Sequence, residues 1–564
     1  MAGDRLACAA VSELAASKSW PVARWAPYAA GVAIALGAVV AYASSIAPTV
    51  TRDDPAELQV VGWAGGLPHG TSYPLYIWLV RVLLLFHIGA NVAQRVTMVS
   101  VLSSGGALFV LYLVAARVVA ERGPARWVAA AAAAGLFAYS YTLWSVSIIA
   151  GMYSLHVLLC ALALHELVVW DQTGDDRRLY SAALALGASM GNHVMTVALL
   201  PGAVVLVILG VWARRPVRDT VVLLARVGGA SLAAVAFFNV ALFYLLWRRH
   251  VPFDHWAGIL AAPTFFQIPP GGGESFWYAW WYEITCRQFR FELFGSTAQT
   301  VHDQLESLPY RVVAEVFPLG AIVALVGWVV QWWRGWRVNV MLTITLAAHV
   351  YLVATYNQLH KSNYYLLVPG FIVALYVAVA LGALSRELAT RVLDKRGLGG
   401  PDGAAAAGAL AAACVVLYWA NERSRDACLD SFKHIESPFV RTAVESKLGP
   451  RPDEHEDHAV HDDVTRALDL IAPGSIVFAD WPQHFALEYV ARVEQGRSDL
   501  TVYESYPYGV GHHEFPVDYI RLIEDPARSR RVFFLYMQPP ARPGWARRQV
   551  VRGLLEVTFT ATAG

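Results

Sequence analysis

The chain has 564 residues, of which 56% are hydrophobic and only 15% charged, with a formal net charge of +1. A soluble protein carries roughly a quarter of its residues as charges, so this balance, with a mean hydropathy of +0.43, excludes an ordinary soluble enzyme and a disordered scaffold. The near-neutral charge lacks the basic excess of a nucleic-acid binder, and the five cysteines are scattered without the spacing of a disulfide framework or zinc site. What remains is a polytopic α-helical membrane protein.

A membrane span needs about 20 apolar residues. Intervals free of Asp, Glu, Lys and Arg run over 25–51, 96–116, 127–165, 179–213, 227–247, 316–333, 338–360, 362–385 and 403–421. The third and fourth are long enough for two helices each, which predicts about eleven spans. The first is too long for a signal-peptide core and reads as an uncleaved anchor. Loops on the N-terminal side carry twice as many Lys and Arg as the opposite loops, so the positive-inside rule places the N-terminus in the cytoplasm.

The predicted organisation is a transmembrane domain over 1–421 followed by a soluble outer domain over 422–564. Two outer loops are large, about 48–94 and about 248–315. The second holds the aromatic run Phe276-Trp277-Tyr278-Ala279-Trp280-Trp281-Tyr282, which suits a membrane–water interface. In the tail, the short apolar strings Ser475–Ala479 and Arg531–Tyr536 predict a small α/β fold.

Chemistry concentrates in the first outer loop. Asp53, Asp54 and Glu57 put three carboxylates within five residues directly after the first span. Charges at that depth are costly unless paired or hydrated, and a part-buried carboxylate can act as a general base. Asp54-Pro55-Ala56-Glu57 is also a capping-box pattern with proline at the first helical position, so a structural role stands beside the catalytic one. His69 follows twelve residues later in His69-Gly70-Thr71-Ser72-Tyr73-Pro74, then Arg81 and Arg95. His69 can donate to a phosphate or sugar hydroxyl or simply pack a turn. The two arginines can pair with a lipid phosphate or snorkel at the interface. Asn192-His193, near the end of the fifth span, and His360-Lys361, between the ninth and tenth, are further candidates beside packing or topological roles.

These residues, in this order and spacing, resemble glycosyltransferase family 117, a membrane family of the GT-C fold. Asp54, Glu57 and Leu58 match its Asp-Ser-Gly-Glu-Leu element; His69, Tyr73, Pro74 and Leu75 match His-Pro-Pro-Gly-Tyr-Pro-Leu; Arg95-Val96 match Arg-Val-Asn. Ala150-Gly151-Met152-Tyr153-Ser154-Leu155 falls on Ala-Glu-Val-Tyr-Ser-Leu, and Gly191-Asn192-His193 on Gly-Asn-His. The tail string Pro473–Asp480, followed by Glu488-Tyr489, is similar to the outer domain of bacterial members. The likeness is densest over about 47–215. The chain departs at Pro55-Ala56, at Gly70-Thr71-Ser72, and at Gly151, where the family has a glutamate.

The resemblance implies a sugar, mannose by analogy with relatives, carried from a polyprenyl-phosphate donor to an acceptor hydroxyl on a protein or glycan at the outer face. It implies inversion, with Asp54 as base and Glu57, Asp53 and His69 supporting it or holding sugar. Arg95 and Lys361, with Arg81 behind, would meet the phosphate, and Tyr73, Asn192, His193 and His360 complete the substrate-binding set. Metal dependence is not legible: Asp53, Asp54 and Glu57 could hold a divalent ion, but no second ligand cluster of suitable spacing appears. Arginine-rich composition points to a bacterial plasma membrane, with the tail periplasmic. Two other classes stay open: a transporter or flippase of lipid-linked sugars, and a non-catalytic membrane protein that binds glycans or proteins.

Overall fold

A computed structural model of the protein describes residues 21–121, 124–214, 216–249, 252–289, 294–356, 361–388, 408, 412, 451–504, 514–525 and 530–559. The first part is helical: α1 Pro21–Ala43, α2 Asp53–Ala64, α3 Pro74–Leu83, α4 Val92–Val118, α5 Pro124–Ala138, α6 Tyr141–Ser147, α7 Met152–Thr173, α8 Arg177–Met190, α9 Leu200–Trp212, α10 Val217–Val235, α11 Leu242–Trp247, α12 His255–Leu260, α13 Phe276–Ile284, α14 Ala298–Arg334, α15 Trp336–Thr355 and α16 Leu367–Leu388. Among the described residues seven helical stretches are long and apolar enough to cross a membrane. α1 and the shorter α5 and α8 stand on the remaining apolar intervals. The chain is a multi-pass membrane protein. The expected eleventh span, 403–421, lies outside the described residues apart from Gly408 and Ala412.

One helix departs from its expected limits. The apolar interval began at 316, yet α14 starts at Ala298, inside what the sequence marked as a loop. Its first half is amphipathic in the opposite sense to a surface helix: Gln304, Ser307, Arg311 and Ala314 recur at helical spacing and all are at most 1% exposed. At Phe317 the helix breaks, with φ 53 and ψ 168 just before Pro318. Proline there removes a backbone donor and disfavours helical geometry in the preceding residue. Beyond the break, α14 lies so close to α16 that a Cβ on Gly327 would collide with the Tyr376 carbonyl.

The tail forms α17 Ala459–Leu468, α18 Trp481–Tyr489 and α19 Val517–Glu524 with five strands, β1 Ile476–Ala479, β2 Thr501–Glu504, β3 Val532–Leu535, β4 Trp545–Val551 and β5 Leu554–Phe559. The sheet order is β2-β1-β3-β5-β4. β1 pairs in parallel with β2 and β3, whereas β5 is antiparallel to β3 and β4. β1 and β3 are buried on both faces, as central parallel strands require.

This tail sits on the helices. α18 packs along α2, the backbone N–H of Ala93 donates to the Tyr489 hydroxyl at 3.0 Å, and Trp144 Nε1 donates to the Pro452 carbonyl at 3.0 Å. A continuous apolar core runs from the helices into the sheet, including Val477 and Phe533.

Candidate active site

The site is built at the end of the helical bundle that carries α2, α3 and the tail. α2 places Asp54 and Glu57 one turn apart, 6% and 0% exposed. The capping box does not form as the sequence suggested. The helix begins one residue early, at Asp53, and Glu57 turns sideways instead of back over the helix start. Its Oε1 accepts the His69 N–H at 2.7 Å, and its Oε2 pairs with His69 Nδ1. The other ring nitrogen meets the Tyr73 hydroxyl at 2.9 Å, and that hydroxyl donates to the Gly70 carbonyl at 3.1 Å. His69 is thus clamped at both nitrogens rather than left to bind a phosphate.

The backbone around this clamp is held in an uncommon conformation. Asp53, Ser72 and Tyr73 have φ of 59, 61 and 38, a left-handed region costing non-glycine residues on the order of 1–3 kcal/mol each where neighbours enforce it. The Ser72 hydroxyl donates to Glu283 Oε2 at 3.1 Å. The other oxygen of Glu283 lies 2.8 Å from His255 Nδ1, making a second buried carboxylate–histidine pair. Burial disfavours charge on His255, but Glu283, with smaller help from Glu504 and Glu57, overrides it and lifts the imidazole to about 9. At the end of β2, burial raises Glu504 to about 7, opposed by His255 and reinforced by the Glu57 charge.

The tail completes the site. Trp481, the first residue of α18, donates from Nε1 to Asp54 Oδ1 at 3.1 Å, and its ring meets His69 edge-on at 5.4 Å. The carboxylate that the sequence marked as base is therefore oriented by a residue more than 400 positions away.

From Tyr73 a run of rings leads towards the middle of the bundle. Tyr73 lies parallel to His193 at 6.0 Å, His193 is 5.5 Å from Tyr153, and Tyr153 is 5.1 Å from Tyr364. Beside Tyr364, Asn363 accepts from Arg311 Nη1 at 3.2 Å, and Gln304 accepts from Nη2 at 3.0 Å. Arg311 and Glu315, with Ser140 and Thr142, form the polar part of a mostly apolar cavity of about 260 Å³ between α5, α14, α15 and α16, lined by Phe137, Val350, Pro369 and their neighbours.

Among the expected residues, Asp54, Glu57, His69 and Tyr73 come together and His193 adjoins them. Asp53 is half-buried at the start of α2. Asn192 donates to the Met152 carbonyl at 2.9 Å, tying down the start of α7. Arg81 turns to the Trp63 carbonyl, where burial and Arg249 lower its pKa. Arg95 donates to the Gly89 carbonyl at 3.2 Å. Both arginines are held by backbone carbonyls, so their expected phosphate role gains nothing from these contacts. His360 and the Lys361 side chain lie outside the described residues.

Sequence reasoning missed Trp481, Glu283, His255, Glu504 and Arg311. Only Arg311 left a signal, the 304–307–311–314 spacing. Gly151, at the start of α7, is extended (φ −168), and a Cβ there would touch the Tyr153 ring at an ordinary 3.7 Å. Among the described residues the one group of metal-type ligands is His302, Asp303 and Glu306, with Asp303 half-buried and the other two exposed, none of them among the carboxylates of α2.

Comparison with known proteins agrees with this architecture. The family model described as the Protein O-mannosyl-transferase TMEM260 N-terminal domain matches residues 54–215. No curated protein matches the chain. The solved structure of ArnT from Cupriavidus metallidurans bound to undecaprenyl phosphate is 15% identical, with 97% of this chain and 100% of that one covered at a TM-score of 0.51. The archaeal oligosaccharyltransferase AglB from Archaeoglobus fulgidus, in complex with an inhibitory peptide and a dolichol-phosphate, is 14% identical over 92% of this chain and 70% of that one, with a TM-score of 0.48. The fold is that of the GT-C glycosyltransferases, a polytopic helical bundle with a small sheet domain at its C-terminal end.

Proposed function

We propose that this protein is a GT-C glycosyltransferase that moves a sugar from a polyprenyl-phosphate donor to an acceptor hydroxyl. Asp54 takes the acceptor proton. Trp481 orients that carboxylate, and the Glu57–His69–Tyr73 clamp fixes the loop beside it. A single base facing the leaving phosphate gives inversion at the anomeric carbon. The TMEM260-type similarity over 54–215 favours mannose.

The donor's needs are physical. Its isoprenoid chain requires an apolar groove between helices, and its phosphate gains charge as the glycosidic bond breaks, so a preorganised cation lowers the barrier. The cavity headed by Arg311 meets both needs, and Arg311 replaces Arg81 and Arg95 as the preferred phosphate ligand, beside Lys361. The basic-residue bias of the loops supports a cytoplasmic N-terminus and an extracytoplasmic tail over 422–564, and the arginine-rich composition a bacterial plasma membrane.

The reading is carried by one observation: a buried carboxylate, Asp54, held by Trp481, with a row of packed rings running from the neighbouring Tyr73 to Tyr364, beside the Asn363 that holds Arg311. Asp54→Asn keeps the side-chain shape and removes the base. With labelled polyprenyl-phosphate mannose and an acceptor extract, transfer should fall by about 10²–10⁴-fold while the protein stays folded. Undiminished transfer by the variant would remove Asp54 from the chemistry, and transport of the lipid-linked sugar without transfer would remove the enzyme.

A further inference from the structure

A second cavity, of about 210 Å³, opens where α2, the 252–266 segment and the tail meet. It is distinct from the apolar groove and adjoins the site through Glu57, His255 and Glu504. Its wall combines carboxylates with rings: Glu57, Glu504 and Asp254 beside Phe253, Tyr503 and Tyr519. Two histidines also line it, and each keeps a buried ring nitrogen without a hydrogen-bond partner, Nε2 of His255 and Nδ1 of His484. His255 has a side chain only 6% exposed, and His484 is 6% exposed as a residue.

The chemistry of the two orphans differs. His255 is bound to Glu283 through Nδ1 and carries its charge well above neutrality, so its Nε2–H is a donor without an acceptor. His484 is held neutral by burial, its pKa pushed down to about 4, and it bonds the Tyr503 backbone; its Nδ1 is an acceptor without a donor. Unsatisfied buried polar atoms are costly, and here a donor and an acceptor belong to two residues of the same wall. A cation would satisfy the carboxylates and repel the imidazolium. An anion would do the reverse. A hydroxyl group gives and takes a hydrogen bond at once, and aromatic faces pack against the C–H surface of a sugar ring. The volume, equal to that of about seven waters in the liquid, is of the order of one hexose.

We propose that this cavity binds one sugar residue of the acceptor, so that the acceptor is a saccharide rather than a bare peptide. The inference rests on the transferase reading for the word acceptor, but the binding itself does not. The sugar would lie against Glu57 with a free hydroxyl turned towards Asp54, the neighbouring carboxylate one turn away on α2.

The test uses the full-length protein in lipid nanodiscs with methyl α-mannoside, methyl α-glucoside and N-acetylglucosamine as probes. Saturation-transfer NMR reads binding without any donor present. At least one sugar is expected to bind, and Glu504→Gln and His484→Phe should each weaken it roughly tenfold, with thermal unfolding confirming that both variants fold. If His484→Phe unfolds the protein, His484→Gln, which keeps a polar acceptor, should retain binding. Adding polyprenyl-phosphate mannose should leave the bound sugar in place. Displacement by the donor would make the cavity a donor subsite and overturn the proposal. So would absence of binding by all three sugars, or binding indifferent to both variants. Sugar binding that survives in a protein without transferase activity would instead spare this cavity and sink the transferase reading.

Discussion

Glu57 is fully buried, yet its two oxygens are spent on His69, one on the backbone N–H and one on the ring. A hydrogen bond to a charged group contributes about 1.5–3 kcal/mol, more than a neutral one. Glu57→Gln preserves the volume and the bond to the backbone but weakens the hold on the imidazole. The expected result is a loss of about 1–3 kcal/mol in stability with a lower kcat, because the His69–Tyr73 loop borders Asp54. The measurement pairs thermal unfolding with transfer assays. A variant as stable and as fast as the parent would show that the clamp merely fills space. At this scale the sequence was informative in part. Asp54, Glu57, His69 and Tyr73 were all legible from one loop, because residues within twenty positions of one another can signal a shared site by spacing. Their partners Trp481 and Glu283 were not, since nothing local to Trp481-Pro482 or to the aromatic run around Glu283 encodes a contact made 427 and 211 residues away.

Among the elements, α14 decides most. Sequence hydropathy located its second half and missed the first, where polar residues are buried and a charged one, Glu306, faces outward. Hydropathy reports what lipid touches, whereas the half before Phe317 turns its polar stripe inward, towards the groove. The break at Phe317-Pro318 ends that half just past Arg311 and Glu315, and broken helices inside membranes persist where they border a cavity. Arg311 is fixed by Gln304 and Asn363 on two different elements, so its guanidinium is positioned before any ligand arrives. Arg311→Gln should therefore lower kcat/KM for the lipid-linked donor by roughly 10²–10³-fold, the range seen when one preorganised donor to a developing charge is lost. Arg311→Lys should recover only part, because an ammonium lacks the planar fork. Steady-state kinetics over donor concentration separates the cases. Equal kcat/KM for Arg311→Gln and the parent would move the phosphate elsewhere, with Lys361 the next cation to replace.

For the whole molecule, the question is what couples the sheet domain to the helices. The apolar core is continuous across them, so loss of docking should register in the global unfolding transition rather than as a separate melt. Beside that contact, His255 and, on β2, Glu504 titrate away from their ordinary values. His255 sits at about 9 against an ordinary value of 6.5. A raised folded-state pKa contributes stability that is complete below the ordinary value and lost as pH climbs through the folded one. The His255 contribution, on the order of 3 kcal/mol at 1.36 per pKa unit, should thus disappear between about pH 6.5 and 9. Glu504, raised from 4.5 to about 7, acts with the same sign over a lower window. Below pH 6.5 it is opposed by His484, whose depressed pKa makes protonation destabilising, so the profile should be shallow there and steep above. Thermal unfolding of the full chain in detergent from pH 5 to 9 should show Tm falling mainly over the upper two and a half pH units. Glu283→Gln removes the carboxylate that holds the proton on His255, and should flatten that upper limb while lowering Tm at pH 6. A limb of unchanged slope in Glu283→Gln would mean that the His255–Glu283 pair does not set it, and the pH dependence would have to come from other groups.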